Sequence, residues 1–132
     1  MKKYLAQAAF QSSYSDVKYS MYIGRWQPWH SGHRWLIDQR LKEGKNVLIC
    51  IRDIEPDEKN PWTAQEVVLN LNKELKDLIQ EGRVKVIIIP DIESVNIGRG
   101  VGYDIIEHIP PDAIREVSAT GIRKQMKEDG KL

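Results

Sequence analysis

The stretch Ile23-Gly24-Arg25-Trp26-Gln27-Pro28-Trp29-His30-Ser31-Gly32-His33-Arg34-Trp35 decides the fold. A β-type run, Tyr19 to Ile23, leads into it, and a helix-type run, Trp35 to Leu41, leads out. The loop between them holds two glycines, one proline and two histidines three apart. Gly24 can take backbone angles closed to other residues, so a sharp exit from the strand is expected there. Pro28 stiffens the loop and removes one backbone donor. Gly32 has no side chain, so a ligand can approach its backbone. His30 and His33 stand at the mouth of a helix whose first amides lack partners, a place that attracts phosphates. The loop is expected to face solvent.

An isolated H-x-x-H is an ordinary connection with incidental histidines. The fuller pattern G-x-x-x-P-x-H-x-G-H arises by chance roughly once in ten million starting points at average residue frequencies. That rarity, with the strand before and the helix after, favours a functional loop.

Working outward, Lys18 to Gly24 reads as the first strand and Gly32 to Glu43 as the first helix, closed by Gly44. Asn46 to Ile51 is almost continuously apolar, as in a strand buried on both faces of a parallel sheet. Arg52 to Trp62 is polar with two prolines, hence a loop. Thr63 to Gln80 is the clearest helix: Thr63 and Glu66 form a capping-box pattern, and Val67, Val68, Leu71, Leu75, Leu78 and Ile79 mark a buried face. Gly82 ends it, and Arg83 to Ile89 is a further strand stopped by Pro90. Asp91 to Gly102 reads as a loop, Tyr103 to His108 as a short helix, Ala113 to Val117 as a last strand and Ser118 to Glu128 as a final helix. Strands alternating with helices predict an α/β, Rossmann-like single domain, its parallel sheet flanked by helices. Ligands then bind beyond the carboxyl ends of the strands.

Residues 1 to 18 read as an N-terminal arm, able to pack on a partner subunit of a homo-oligomer, before a domain covering 19 to 132. The chain has 132 residues, 41% hydrophobic and 30% charged, with a net charge of +1. Such balance gives no general attraction to nucleic acid or membrane surfaces. The single cysteine, Cys50, lies in an apolar run, excludes an internal disulfide and suits the cytoplasm. No apolar run is long enough to span a bilayer.

The histidine stretch resembles the signature of the nucleotidyltransferase superfamily with an H-x-G-H motif, the cytidylyltransferase-like proteins. In the form Gly24-Arg25-Trp26-Gln27-Pro28-Trp29-His30 it is most similar to the archaeal-type nicotinamide mononucleotide adenylyltransferases. The resemblance implies that His30 and His33 contact a triphosphate, with Gly24, Arg25, Trp26 and Gly32 in the same nucleotide-binding loop. Val117-Ser118-Ala119-Thr120-Gly121-Ile122-Arg123 is similar to the family's I-S-x-T-x-x-R motif, with Val117 in place of Ile. Alone it could be an ordinary helix start. Beside the first motif it implies that Ser118, Thr120 and Arg123 grip the β- and γ-phosphates; Arg123 leans back towards the start of its helix.

Lys59-Asn60-Pro61-Trp62-Thr63 is similar to the family's K-N-P-F-T. Lys59 could reach the phosphates or simply be a solvated loop lysine. Arg52, Trp62 and Arg99 are candidates for the acceptor; the alternatives for the last two are core packing and a flexible surface arginine. Trp26, Trp29 or Trp62 could stack on a ring. Two departures stand out: Val67 follows Glu66 where the family has Arg, and the segment expected to touch the base is shortened to Glu107 through Arg115.

The expected reaction joins an NTP to a phosphorylated small molecule and releases pyrophosphate. ATP is favoured, with CTP and an alcohol-phosphate acceptor as the alternative. Mg2+ is expected on the phosphates, without a protein-built metal site. Three rivals differ in class: a zinc site on His30 and His33, which lacks a third ligand; a fragment of a class I aminoacyl-tRNA synthetase, for which the chain is short; and a nucleotide-binding module without turnover.

Overall fold

The computed structural model describes residues 16–99, 102–116 and 119–130. Tyr19–Gly24, Asn46–Asp53 and Val84–Pro90 form strands β1, β2 and β3. They make one parallel sheet in the order β1-β2-β3, with Tyr22 beside Ile49 and Ile49 beside Val86. The helices are Ser31–Leu41 (α1), Ala64–Glu74 (α2), Lys76–Gln80 (α3), Asp112–Arg115 (α4) and Ala119–Glu128 (α5). The alternation is the expected α/β, Rossmann-like one.

Side chains along a strand alternate between faces, so Val47, Ile49 and Ile51 of β2 share one. All three are fully buried and join Ile37 and Leu41 of α1 with Val67 and Leu71 of α2 in a single core. Burying a side chain of that size stabilises by about 1.5–3 kcal/mol. The core therefore clamps β1-α1-β2 and β2-α2-β3 rigidly and fixes where their loops emerge. Gly44 and Gly82 close their helices with φ of 77° and 76°, the left-handed conformation that glycine tolerates.

Three elements depart from the sequence expectation. The helix from Thr63 breaks at Leu75, which sits at φ −117°, ψ 22° between α2 and α3. An apolar stripe at every fourth residue drifts by about 40° per step on a straight helix. The bend keeps Leu75 buried and brings Leu78 and Ile79 onto the core. Residues 104–110 form no helix: Ile105, Ile106 and Ile109 are exposed, and a short helix that buries no face is marginal. The expected last strand is instead the helical turn α4. The Pro111 carbonyl accepts from the Ile114 and Arg115 amides there, and Arg115 Nε donates to the Pro110 carbonyl. Among the described residues no helix is long and apolar enough to cross a membrane.

Candidate active site

Three segments that carry candidate residues leave the carboxyl ends of strands. β1 leads to Arg25–His30, β2 to the loop holding Lys59 and Trp62, and β3 to the segment holding Arg99. Parallel strands thus deliver all three segments to one edge of the sheet.

The two histidines build the start of α1 between them. His30 is the N-cap, and its Nδ1 accepts from the Gly32 amide at 3.0 Å and the His33 amide at 3.4 Å. His33 Nδ1 in turn accepts from the His30 amide at 3.3 Å. This is a capping box made of imidazoles, and it satisfies three backbone donors. The rings stack with centroids 3.7 Å apart and planes 21° from parallel. A cradle this tight needs Gly32: a Cβ there would meet the His30 ring at 2.8 Å. The space expected for a ligand over Gly32 is therefore filled by His30.

Accepting at Nδ1 leaves the proton of each neutral imidazole on Nε2. Burial lowers the His30 pKa below its ordinary value. Burial, and secondarily the charge of His30, lowers that of His33 to about 3. The pair thus offers two neutral N–H donors rather than a fixed positive charge. Trp26 and Trp29 wall His33 in, with ring centroids at 4.9 and 5.3 Å. The loop is packed on its inner side, contrary to a simple solvent-facing one.

Trp26 is part of that wall rather than a free stacking platform. It is 6% exposed, and its Nε1 donates to the Cys50 carbonyl at 3.0 Å. The sharp turn also falls at Trp26, with φ 57°, and not at Gly24. Gly24 is required for space: a Cβ there would lie 3.0 Å from Trp26 Cε2.

Sequence reasoning missed Gln27. It is 2% exposed, and its side chain pairs with one backbone unit: Nε2 donates to the Trp62 carbonyl at 3.0 Å, and Oε1 accepts from the Trp62 amide at 3.0 Å. Its own carbonyl accepts from Arg123 Nη1. Arg123 Nη2 reaches back to Thr120 Oγ1 at 3.3 Å. The first and last motifs are therefore in contact. The only signal in the sequence was a polar residue between Trp26 and Pro28.

Asp57 holds the second loop in a turn, accepting from the Lys59 and Asn60 amides at 2.8 and 2.7 Å. Its pKa is lowered chiefly by the Asn60 amide, with Arg25 among the further causes. Burial lowers the Arg123 pKa; Asp57 opposes that shift and Arg25 adds to it. Arg25, Asp57 and Arg123 thus feel one another across three segments, and Arg123 keeps its charge at neutral pH.

The other candidates divide. Lys59 is exposed within the Asp57 turn. Trp62 lines an open cavity of about 340 Å3 with Trp26, Pro28, Glu66, Val67 and Met126. Arg52 is engaged with Asp91 at 2.7 Å and with the Ile92 carbonyl, joining the ends of β2 and β3. Arg99 is exposed. Ser118, Gly100 and residues 1–15 lie outside the described residues. Among the described residues no three His, Cys, Asp or Glu side chains gather as a metal site.

No family model matches the chain. It is 34% identical over 136 aligned positions to a nicotinamide-nucleotide adenylyltransferase of Methanocorpusculum labreanum, covering 83% of this chain and 80% of that protein. Proteins of the same name from Methanococcus aeolicus and Caldivirga maquilingensis are 30% and 29% identical, each match covering 83% of this chain and 62% of the relative. By the first of these identities and its coverage, the chain belongs to the nicotinamide-nucleotide adenylyltransferase family.

Proposed function

We propose that the protein transfers AMP from ATP to the phosphate of nicotinamide mononucleotide and releases pyrophosphate. The observation that carries this reading is the 34% identity to a protein of that name, extending over 80% of its length. The chemistry of the reactants sets what the site must do. A phosphate oxygen of the acceptor attacks the α-phosphorus, and the bond from that phosphorus to the bridging oxygen of the β-phosphate breaks. The nucleophile is already anionic, so neither an activated side chain nor a deprotonating base is needed. What remains is alignment and stabilisation of the charge that develops on the pyrophosphate.

His30 and His33 suit that task as donors through Nε2, presented by the first turn of α1, whose dipole favours anions. Arg123, which reaches the Gln27 carbonyl of the same loop, adds a charged fork, and Arg25 a second charge. Thr120, Ser118 and Lys59 complete the proposed phosphate grip, with Gly24, Trp26 and Gly32 shaping the loop that carries it. Trp62 faces the cavity proposed for the acceptor. Arg99 stays an acceptor candidate by its loop alone, and Arg52 could serve only if its pairing with Asp91 opened. The described carboxylates make no cage for a divalent ion, so Mg2+ would be held mainly by phosphate oxygens and water, neutralising their charge.

The test is pyrophosphate release from ATP and nicotinamide mononucleotide with Mg2+, with CTP in parallel. Release with ATP alone among the nucleotides is expected. Release only with CTP would point to a cytidylyltransferase, and tight nucleotide binding without release to a module that has lost turnover.

A further inference from the structure

We propose that Gln27 is a positioning residue that sets the Lys59–Trp62 loop and Arg123 in register with the histidine pair. This rests on the transferase reading and deepens it. Gln27 belongs to the loop after β1, three residues before His30, and makes no contact that requires a ligand. Both ends of its amide are used on the Trp62 backbone, each at 3.0 Å. A primary amide offers a donor and an acceptor side by side, as a strand neighbour would, so the pairing fixes distance and direction together. The side chain is 2% exposed, where leaving either amide group unpaired is costly. Meanwhile the Gln27 carbonyl receives Arg123. One residue therefore joins three segments that are far apart in sequence and that each carry a cation proposed for the phosphates.

The second loop has its own rigidity, which makes the tie effective. Asp57 closes the turn over Lys59 and Asn60, and Asn60 is 5% exposed. A stiff turn anchored at Trp62 can hold Lys59 in place only while Trp62 is held. Without Gln27 the turn keeps its shape and loses its position relative to His30 and His33. Small misplacements of groups that act on one charged fragment lower the rate more than their distance suggests. Gln27→Met keeps the volume and removes both hydrogen bonds.

The experiment is a double-mutant cycle on Gln27→Met and Lys59→Ala, read by calorimetric binding of inorganic pyrophosphate with Mg2+ and by steady-state turnover. All measurements are made at a temperature where circular dichroism shows each variant folded. Each single substitution is expected to weaken pyrophosphate binding about tenfold, and the double variant by no more than about twofold beyond either one, because Lys59 acts only while Gln27 holds its loop. A merely structural role would lower the melting temperature and leave Lys59's contribution intact, so the losses would multiply to about a hundredfold; that result overturns the proposal. So does a Lys59→Ala protein that binds as the wild type does. Should Gln27→Met fail to fold, Gln27→Asn keeps the amide, loses its reach and must show the same lack of additivity. Wild-type protein that neither binds pyrophosphate nor releases it from ATP would overturn the transferase reading and the role of Gln27 with it. Normal wild-type behaviour with additive variants overturns only the role of Gln27.

Discussion

The imidazoles of His30 and His33 lie face to face, 3.7 Å between centroids, and each Nδ1 accepts a backbone N–H from the other residue. The pair is a helix cap and, in the proposed function, a pair of Nε2 donors, so the two roles can be separated by substitution. His30→Ala removes the acceptor for the Gly32 and His33 amides and should cost about 1 kcal/mol of stability. It should also cut turnover by on the order of a hundredfold, as loss of a transition-state donor does. His30→Asn restores a capping oxygen and not the imidazole donor. Melting temperature is expected to recover with Asn while pyrophosphate release does not. Recovery of both would make His30 a cap only.

His33 should give the protein an acid-sensitive fold. Its ordinary pKa is 6.5 and burial brings it to about 3 in the folded chain. Between those values the unfolded chain binds the proton more readily than the folded one, so unfolding takes up a proton. The stabilisation is complete above pH 6.5 and is lost as the pH falls towards 3. His33→Asn lacks this titration and should show a flatter dependence of melting temperature on pH over that window. Parallel curves for the two proteins would mean that His33 is not held neutral by its surroundings.

Gly24→Ala tests the wall behind His33. The new methyl would meet the Trp26 ring at 3.0 Å, and that ring is fixed by its bond to the Cys50 carbonyl. Overpacking of this kind costs about 1–3 kcal/mol. Chemical denaturation should show that loss. Turnover should fall as well, because Trp26 displaced by the methyl no longer positions His33. An unchanged midpoint would show that the indole has room to move.

Much of this arrangement was legible in the residues. The strand-loop-helix order, the helix starts near Gly32 and at Thr63, and the helix ends at Gly44 and Gly82 follow from local chemistry. The break at Leu75 did not, because the stripe through Val67, Leu71 and Leu75 looks continuous until it has to fit a curved core. Nor did the helical turn at Asp112–Arg115: its four residues bury little, so no periodicity marks it. At the site, the histidines and Arg123 were visible as motifs. Gln27 was not, since its partner is a backbone unit 35 positions away and backbone units have no sequence signature. The same limit explains Trp26, whose indole looks free for a ligand until its bond to the Cys50 carbonyl is seen.

Arg123→Lys separates charge from shape. The guanidinium reaches the Gln27 carbonyl and Thr120 Oγ1 with two different nitrogens, which one ammonium cannot reproduce in the same geometry. We expect the fold to persist and pyrophosphate affinity to drop about tenfold, the equivalent of 1.4 kcal/mol. Unchanged affinity in calorimetry would remove Arg123 from the phosphate grip.

The last prediction concerns the nucleotide. His30, His33, Arg25 and Arg123 would meet phosphates, which every NTP shares, so they cannot choose a base. Choice must come from hydrogen bonds to the base edge, and a pocket built for one base leaves its own polar groups unpaired with another, at a cost of about 1–3 kcal/mol for each such group. Gly24–Pro28 and Asn60–Thr63 favour ATP by their likeness to the adenylyltransferases, and the names of the relatives agree. In the segment expected to touch the base, Glu107 through Arg115, only Asp112–Arg115 forms the turn α4, and Ile114 O lies 3.8 Å from where a Gly32 Cβ would sit. That placement puts Ile114 beside the histidine loop. A ligand at a hundred times its Kd stabilises by about 2.7 kcal/mol, so the preference is readable as a thermal shift with Mg2+ present. ATP is expected to raise the melting temperature at concentrations where CTP does not. A shift with CTP and none with ATP would reassign the base while leaving the phosphate-binding residues in their roles.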